Sequence, residues 1–206
     1  MSIKDKTVIP NKYHFFWGGN YSQWVPAEFS FHDVDFNTAE QFMMLGKAIV
    51  SEDYETANKI MKSDDPSVQK KLGRSVKNFD ESKWDLYKYE IVLLGNFLKS
   101  TQVNEYAELV PMDSDVDLFV EASPYDKVWG IKMGVSDPDH TDPKKWKGEN
   151  LLGYVITDIR DLLVFGSVDS NLDDISIMRK LDTWSEVMRK GIDNWVHYNI
   201  MNPTDI

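Results

Sequence analysis

Asn37-Thr38-Ala39-Glu40-Gln41-Phe42-Met43-Met44-Leu45-Gly46-Lys47-Ala48 reads as a helix that is apolar on nearly every side yet carries one acid and one amine. Seven helical residues make about two turns, so Glu40 and Lys47 fall on one face, about 10 Å apart along the axis, with room for a small ligand between them. Thr38 is placed to cap the helix, and Gln41 stands at capping-box spacing. Together they fix the helix start and the direction in which Glu40 projects. The same residues also fit a plain core helix whose two charged side chains reach out to water.

Length and composition narrow the rest. A chain of 206 residues with 42% hydrophobic content can bury a real core and suits one domain better than two. No apolar run approaches a membrane span, and Met1-Ser2-Ile3-Lys4-Asp5-Lys6 lacks the apolar stretch of a signal peptide, so a cytoplasmic protein without a membrane partner is expected. Cysteine is absent, which removes disulfides, a thiol nucleophile and thiolate-bound zinc. The net charge of −11 opposes tight, sequence-independent binding of nucleic acid, although a local basic pocket remains possible. Arg74 is the stronger candidate for such a pocket, because Leu72-Gly73-Arg74-Ser75-Val76 gives a guanidinium little reason to be there except a carboxylate or a phosphate. Lys144, Lys145 and Lys147 are the weaker one, since lysines on a loop are commonly solvated.

The pattern along the chain predicts a mainly α fold with a few short strands. Residues 12–36 are aromatic-rich loop with short extended pieces, interrupted at Gly18-Gly19-Asn20. Helices are expected at 38–50, at 53–62 after Ser51-Glu52-Asp53, and at 66–73 with Pro66 in a first-turn position. A longer helix follows Asp80-Glu81-Ser82, with Trp84, Tyr87, Ile91, Leu94 and Leu98 on one face. A strand is expected at 117–122, continued by Trp129-Gly130-Ile131 after a turn at Ser123-Pro124. The stretch 134–150 reads as a long loop, 151–163 as a helix, and 166–173 as a linker. A last helix at about 174–197 shows an apolar stripe of Ile175, Met178, Leu181, Trp184, Met188, Ile192 and Trp195. That stripe is expected to pack on the main body, a dimer contact being the alternative.

Several chemistries find no support. His14, His32, His140 and His197 have no neighbours at metal-ligand spacing, there is no nucleophile elbow, and Gly18-Gly19 lacks the flanking strand, lysine and further glycines of a phosphate-binding loop. Neither a metal nor a cofactor is expected.

Five segments, in order, resemble the NADAR (YbiA-like) family. They are Phe15-Phe16-Trp17 with Ser22-Gln23-Trp24; Asn37 to Met44 with Lys47-Ala48; Gly73-Arg74-Ser75-Val76; Val120-Glu121-Ala122-Ser123-Pro124-Tyr125-Asp126 with Trp129-Gly130-Ile131; and Gly148-Glu149-Asn150-Leu151-Leu152-Gly153 with Arg160. The resemblance spans about residues 13–163. It implies a YbiA-like domain at 1–165, followed by a linker and an added amphipathic helix at 166–206. One departure is Lys132-Met133, where the family continues Trp-Gly-Ile with glycine and then an aliphatic residue.

The resemblance also implies an N-glycosidase acting on a ribosyl group attached to an amine of a base. The associated substrates are ADP-ribose on guanine, in DNA or RNA, and the phosphoribosylamino-pyrimidines of riboflavin synthesis. A non-catalytic sensor of ADP-ribose or NAD derivatives is a further alternative. In both substrates C1′ is bonded to an exocyclic nitrogen, so the sugar can open to an imine. A lysine, Lys47, could then hold the sugar as a Schiff base, with Glu40 moving protons. Burial would depress the Lys47 amine in the direction a nucleophile needs. A route without a covalent step has Glu40 or Asp126 orienting water. Trp17, Trp84 and Trp129 are candidates to stack on the base, and Asp126 to bind ribose, act in catalysis or merely cap a turn. Gly148 and Asn150 at a helix start, together with Arg74, are candidates for phosphate. Glu121 is expected to pair with Arg74 or Arg160.

Overall fold

The structure, a computed structural model, describes residues 12–107, 115–165 and 174–203. Among these residues there are seven α-helices and four short strands. The strands are β1 (Tyr13–Phe16), β2 (Phe29–Phe31), β3 (Val34–Phe36) and β4 (Leu118–Glu121). The helices are α1 (Ala39–Val50), α2 (Tyr54–Met61), α3 (Pro66–Arg74), α4 (Glu81–Gln102), α5 (Asn104–Ala107), α6 (Leu151–Phe165) and α7 (Asp174–Met201). β1 and β4 pair in parallel, Tyr13 opposite Leu118 and Phe16 opposite Glu121, while β2 and β3 form an antiparallel ribbon.

α1 is the centre of the molecule, and every one of its residues except Lys47 is buried. Thr38 caps it by accepting from the Gln41 N–H at 3.0 Å, and Gln41 Oε1 accepts from the Asn37 N–H at 2.9 Å. Asp53, Asp65 and Asp80 cap α2, α3 and α4 in the same way, with Pro66 opening α3. Helices α2, α3, α4 and α7 all pack on α1. The approach of α3 requires Gly73, since a Cβ there would lie 2.0 Å from the Met44 sulfur. α4 buries Trp84, Ile91 and Leu94 as its spacing predicts, but also Val92 and Leu93, because α1, α6 and α7 surround it. Of the α7 stripe, Met188 and Ile192 are buried and Trp195 is half-buried against the main body, while the side chains of Ile175, Met178, Leu181 and Trp184 and the linker 166–173 lie outside the described residues. Among the described residues no helix is long and apolar enough to cross a membrane.

The expected strand at Trp129-Gly130-Ile131 does not form. The carbonyls of Lys127, Val128, Trp129 and Gly130 instead accept from the N–H groups of Glu149, Leu151, Leu152 and Asn150, so this segment closes the start of α6 rather than extending a sheet. Gly148 permits the crossing, since a Cβ there would meet the Gly130 carbonyl oxygen at 2.2 Å.

Candidate active site

A cleft of about 780 Å³ opens where the loop 17–24, the first turn of α1, the outer face of α3, the end of β4 with its following turn, and Leu152 of α6 converge. Three carboxyls line it: Glu40, Glu121 and Asp126. Glu40 is 2% exposed, and its Oε1 has no hydrogen-bond partner. Burial, followed by the nearby charge of Asp126, pushes its carboxyl up to about 7 against the opposing pull of Lys70, Trp24 and Arg74. Glu121 behaves alike. Its Oε2 is enclosed without a partner, and burial, then the negative charges of Asp126 and Glu40, push it up to about 7. Two carboxyls in one cleft are therefore both raised toward neutrality by burial.

Asp126 divides its two oxygens. Oδ1 accepts from the N–H groups of Val128 at 2.9 Å and Trp129 at 2.8 Å, capping the turn, while Oδ2 lies 3.8 Å from Lys70 Nζ. The turn-capping reading of Asp126 thus holds for Oδ1, and Oδ2 is left facing Lys70 at the cleft. Lys70 also stands 5.7 Å from the Trp24 ring centre, and Lys71 and Arg74 complete a cationic side contributed by α3. At the mouth Trp17 is 61% and Tyr125 81% exposed, their rings 6.0 Å apart, and Trp129 forms part of the inner wall.

The structure brings together Glu40, Asp126, Glu121, Arg74, Trp17 and Trp129 from the sequence candidates, and separates four others from the cleft lining. Lys47, two turns along α1, is half-buried with Nζ 4.1 Å over the Phe79 ring. Burial and then the charge of Arg74 hold its amine below the ordinary lysine range. Trp84 is a core residue. Gly148 and Asn150 do not present an anion site, because the backbone donors there are taken up by the 127–131 segment. Asn150 is wholly buried and bridges to β4, accepting from the Glu121 N–H at 2.9 Å and donating to the Phe119 carbonyl at 3.0 Å. Glu121 pairs with neither predicted arginine; Arg160 turns to Asp161 and the Val116 carbonyl. Lys145 and Lys147 pair with Asp139 and Asp137 on their own loop.

Sequence reasoning missed Lys70 and Lys71, and used Trp24 and Tyr125 only as parts of motifs. A signal for Lys70 exists: it precedes Arg74 by four residues, so both share one face of α3.

The family model of the NADAR domain matches residues 15–164. The chain belongs to the NADAR family. It is 36% identical over 164 residues to N-glycosidase R617 of Acanthamoeba polyphaga mimivirus, a match covering 73% of this chain and 96% of that protein. Protein irg-1 of Caenorhabditis elegans is 33% identical over 129 residues, 62% of this chain and 61% of that one. The NMR structure of E. coli YbiA superposes with a TM-score of 0.64 over 82% of this chain and 95% of YbiA, at 19% identity, which shows that this NADAR chain has the YbiA fold. The matched span agrees with the five segments quoted from the sequence and ends within α6.

Proposed function

We propose that this NADAR chain is an N-glycosidase that hydrolyses the bond between ribose C1′ and an exocyclic amine of a base, with ADP-ribosylated guanine as its substrate. The observation that carries this reading is the pair Glu40 and Glu121, each with an unpartnered oxygen, both poised near neutrality in one cleft. The mimivirus relative, named an N-glycosidase, supports the reaction class.

At neutral pH each carboxyl is held part-way through its titration, so one can stand in the acid form while the other is ionised. Glu40, the more enclosed, gives its proton to the exocyclic nitrogen as the C1′–N bond breaks. Glu121, ionised, takes a proton from the water whose oxygen bonds to C1′, and solvent then resets both carboxyls. Asp126, fixed through Oδ1, has Oδ2 available for a ribose hydroxyl. Lys70, Lys71 and Arg74 suit a diphosphate, and Trp17, Trp24 and Tyr125 suit the two flat bases of the substrate. The volume falls within the range of clefts that enclose drug-sized ligands, roughly 300–1,000 Å³.

The lysine route is a second reading, favoured by the depressed amine of Lys47 beside Arg74. Borohydride added with free ADP-ribose separates the two. Direct attack by water leaves both Lys47 and Lys70 unlabelled, whereas a reduced sugar adduct mapped to either lysine assigns the covalent step to it.

Product analysis by liquid chromatography and mass spectrometry tests the reaction itself. Purified chain incubated with guanine-linked ADP-ribose is expected to release ADP-ribose. Release of ribose 5-phosphate from phosphoribosylamino-pyrimidines alone would move the chain to the other substrate class. Binding of ADP-ribose without turnover of either would make it a sensor.

A further inference from the structure

We propose that Lys99, in the last turn of α4, is a positioning residue that holds the Gly18–Trp24 wall of the cleft from behind. Lys99 is 3% exposed, and among the described residues no carboxylate pairs with it. Its Nζ donates to the carbonyls of Asn20 at 2.8 Å and Ser22 at 2.9 Å, on either side of Tyr21, and lies 4.4 Å from the Tyr106 ring centre. Charge-assisted bonds of this kind are roughly twice as strong as neutral ones.

The loop has need of such a clamp. Gly18 and Gly19 both take positive φ, and within the loop the Ser22 N–H donates to the Gly19 carbonyl and the Trp24 N–H to Ser22 Oγ. Tyr21 is buried in the core against His14, Phe16 and Phe119, and a cavity of about 10 Å³ bordered by Asn20, Asn96, Lys99 and Tyr106 lies beside it, so the two bonds from Nζ fix the carbonyls on either side of that ring. Downstream, the Gln23 carbonyl accepts from the Glu40 N–H at 3.0 Å, and Ser22, Gln23 and Trp24 line the cleft. The ammonium is thus linked through Ser22 and Gln23 to the first turn of α1, where the Glu40 carboxyl sits.

A charge buried without a counter-ion is unfavourable for the fold. Burial pushes the Lys99 amine down to about 7, so at and below that pH the folded chain carries an ammonium in a poorly solvated place. A residue kept only for stability would not be a lysine there. The return is the position of the loop, which makes the two roles separable by experiment.

Lys99→Met keeps the stem and removes the donors. Losing the buried charge offsets losing two hydrogen bonds, so the melting temperature is expected to stay within a few degrees. Backbone amides of residues 20–24 are expected to exchange at least tenfold faster, with those of Ile91–Leu94 unchanged, and the Kd for ADP-ribose is expected to rise at least tenfold. Unchanged exchange at 20–24, or faster exchange with unchanged ADP-ribose binding, would overturn the proposal. The binding arm rests on the proposed function and the exchange arm does not. If the wild-type chain fails to bind ADP-ribose, that reading falls and exchange alone decides the clamp. Should Lys99→Met not fold, the chain with Lys99 intact carries the test. Tyr106 is the titratable side chain facing Nζ, and burial raises its phenol, so it stays neutral. The Glu40 carboxyl, which meets Trp24 and also titrates at about 7, is removed by Glu40→Gln; in that variant protection at 20–24 is expected still to fall several-fold between pH 6 and 9, and a flat profile would overturn the clamp.

Discussion

Glu40 and Gln41 are neighbours on the first turn of α1, almost equally buried at 2% and 3% exposure, and opposite in how their polar atoms are met. Gln41 accepts from the Asn37 N–H and donates to the carbonyls of Ile60 at 3.3 Å and Ser63 at 3.2 Å. Beside it Gln69, wholly buried, accepts from Thr38 Oγ1 at 2.8 Å and donates to Asn37 Oδ1 at 2.9 Å and the Ser63 carbonyl at 2.7 Å. This side of the turn is a closed network that ties α1 to α2 and α3. Glu40 faces the cleft with one oxygen unmet. An unsatisfied buried group costs about 1–3 kcal/mol, and under the proposed function one that persists beside a fully satisfied network is where stability yields to chemistry.

The strongest way to break that contrast is Glu40→Gln. If the acid moves a proton to the leaving amine, kcat/KM for ADP-ribosylated guanine should fall by about 10²–10⁴, whereas an unchanged value would reduce Glu40 to a buried ornament of the core. The same substitution should stabilise. A carboxyl at about 7 in the folded chain, against an ordinary 4.5, lets the folded state keep a proton that the unfolded state has lost. Stability is therefore full below about pH 4.5 and is lost as pH rises through 7, Glu121 acting in the same direction. At pH 8 urea unfolding should find Glu40→Gln more stable than wild type by about 3 kcal/mol, and at pH 4 the two should agree.

Gln69→Ala probes the closed side. It deprives Thr38, Asn37 and Ser63 of a partner at once and leaves a cavity, so a loss of about 2–4 kcal/mol is expected in the same unfolding assay. Activity per folded molecule should stay within a few-fold. A fall in kcat/KM as deep as that of Glu40→Gln would show that the network serves the site and that the division within this turn is false.

The two sides were not equally legible in the sequence. Thr38 with Gln41, Asp65 before Pro66 and the Trp84, Ile91, Leu94 spacing are local signals, and local hydrogen bonding and periodicity do decide those helices. Glu40 stood out as an acid in an apolar helix. Lys47 stood out for the same reason, yet the cleft wall at that end is made by α3, whose lie depends on Gly73 meeting Met44, a contact between residues 29 apart that no window reveals. Lys70 was missed because its partners, Asp126 and Trp24, come from two other segments. Gly148-Glu149-Asn150 looked like a free helix start because the carbonyls that occupy it belong to residues 127–131, across a long loop. Long-range closure, rather than propensity, decided each of these.

Lys132 sharpens the contrast at the smallest scale. It stands where the resemblance leads to an expectation of glycine, and it holds φ at +53°. The left-handed region costs a side chain about 1–2 kcal/mol, of which glycine's greater freedom in the unfolded chain returns 0.5–1. Its N–H donates to the Asp126 carbonyl at 3.0 Å, so the strained residue closes the turn that presents Asp126 to the cleft. If this strain were spent on the site, relieving it would alter catalysis. The turn, however, is over-determined: Asp126 Oδ1 caps it twice, and Ser123 Oγ accepts from the Asp126 N–H at 3.2 Å. Lys132→Gly should therefore stabilise by about 0.5–1 kcal/mol in urea unfolding and leave kcat/KM within twofold. A gain in stability with a loss of activity would instead place Lys132 beside the role proposed for Glu40, a local cost that serves the reaction.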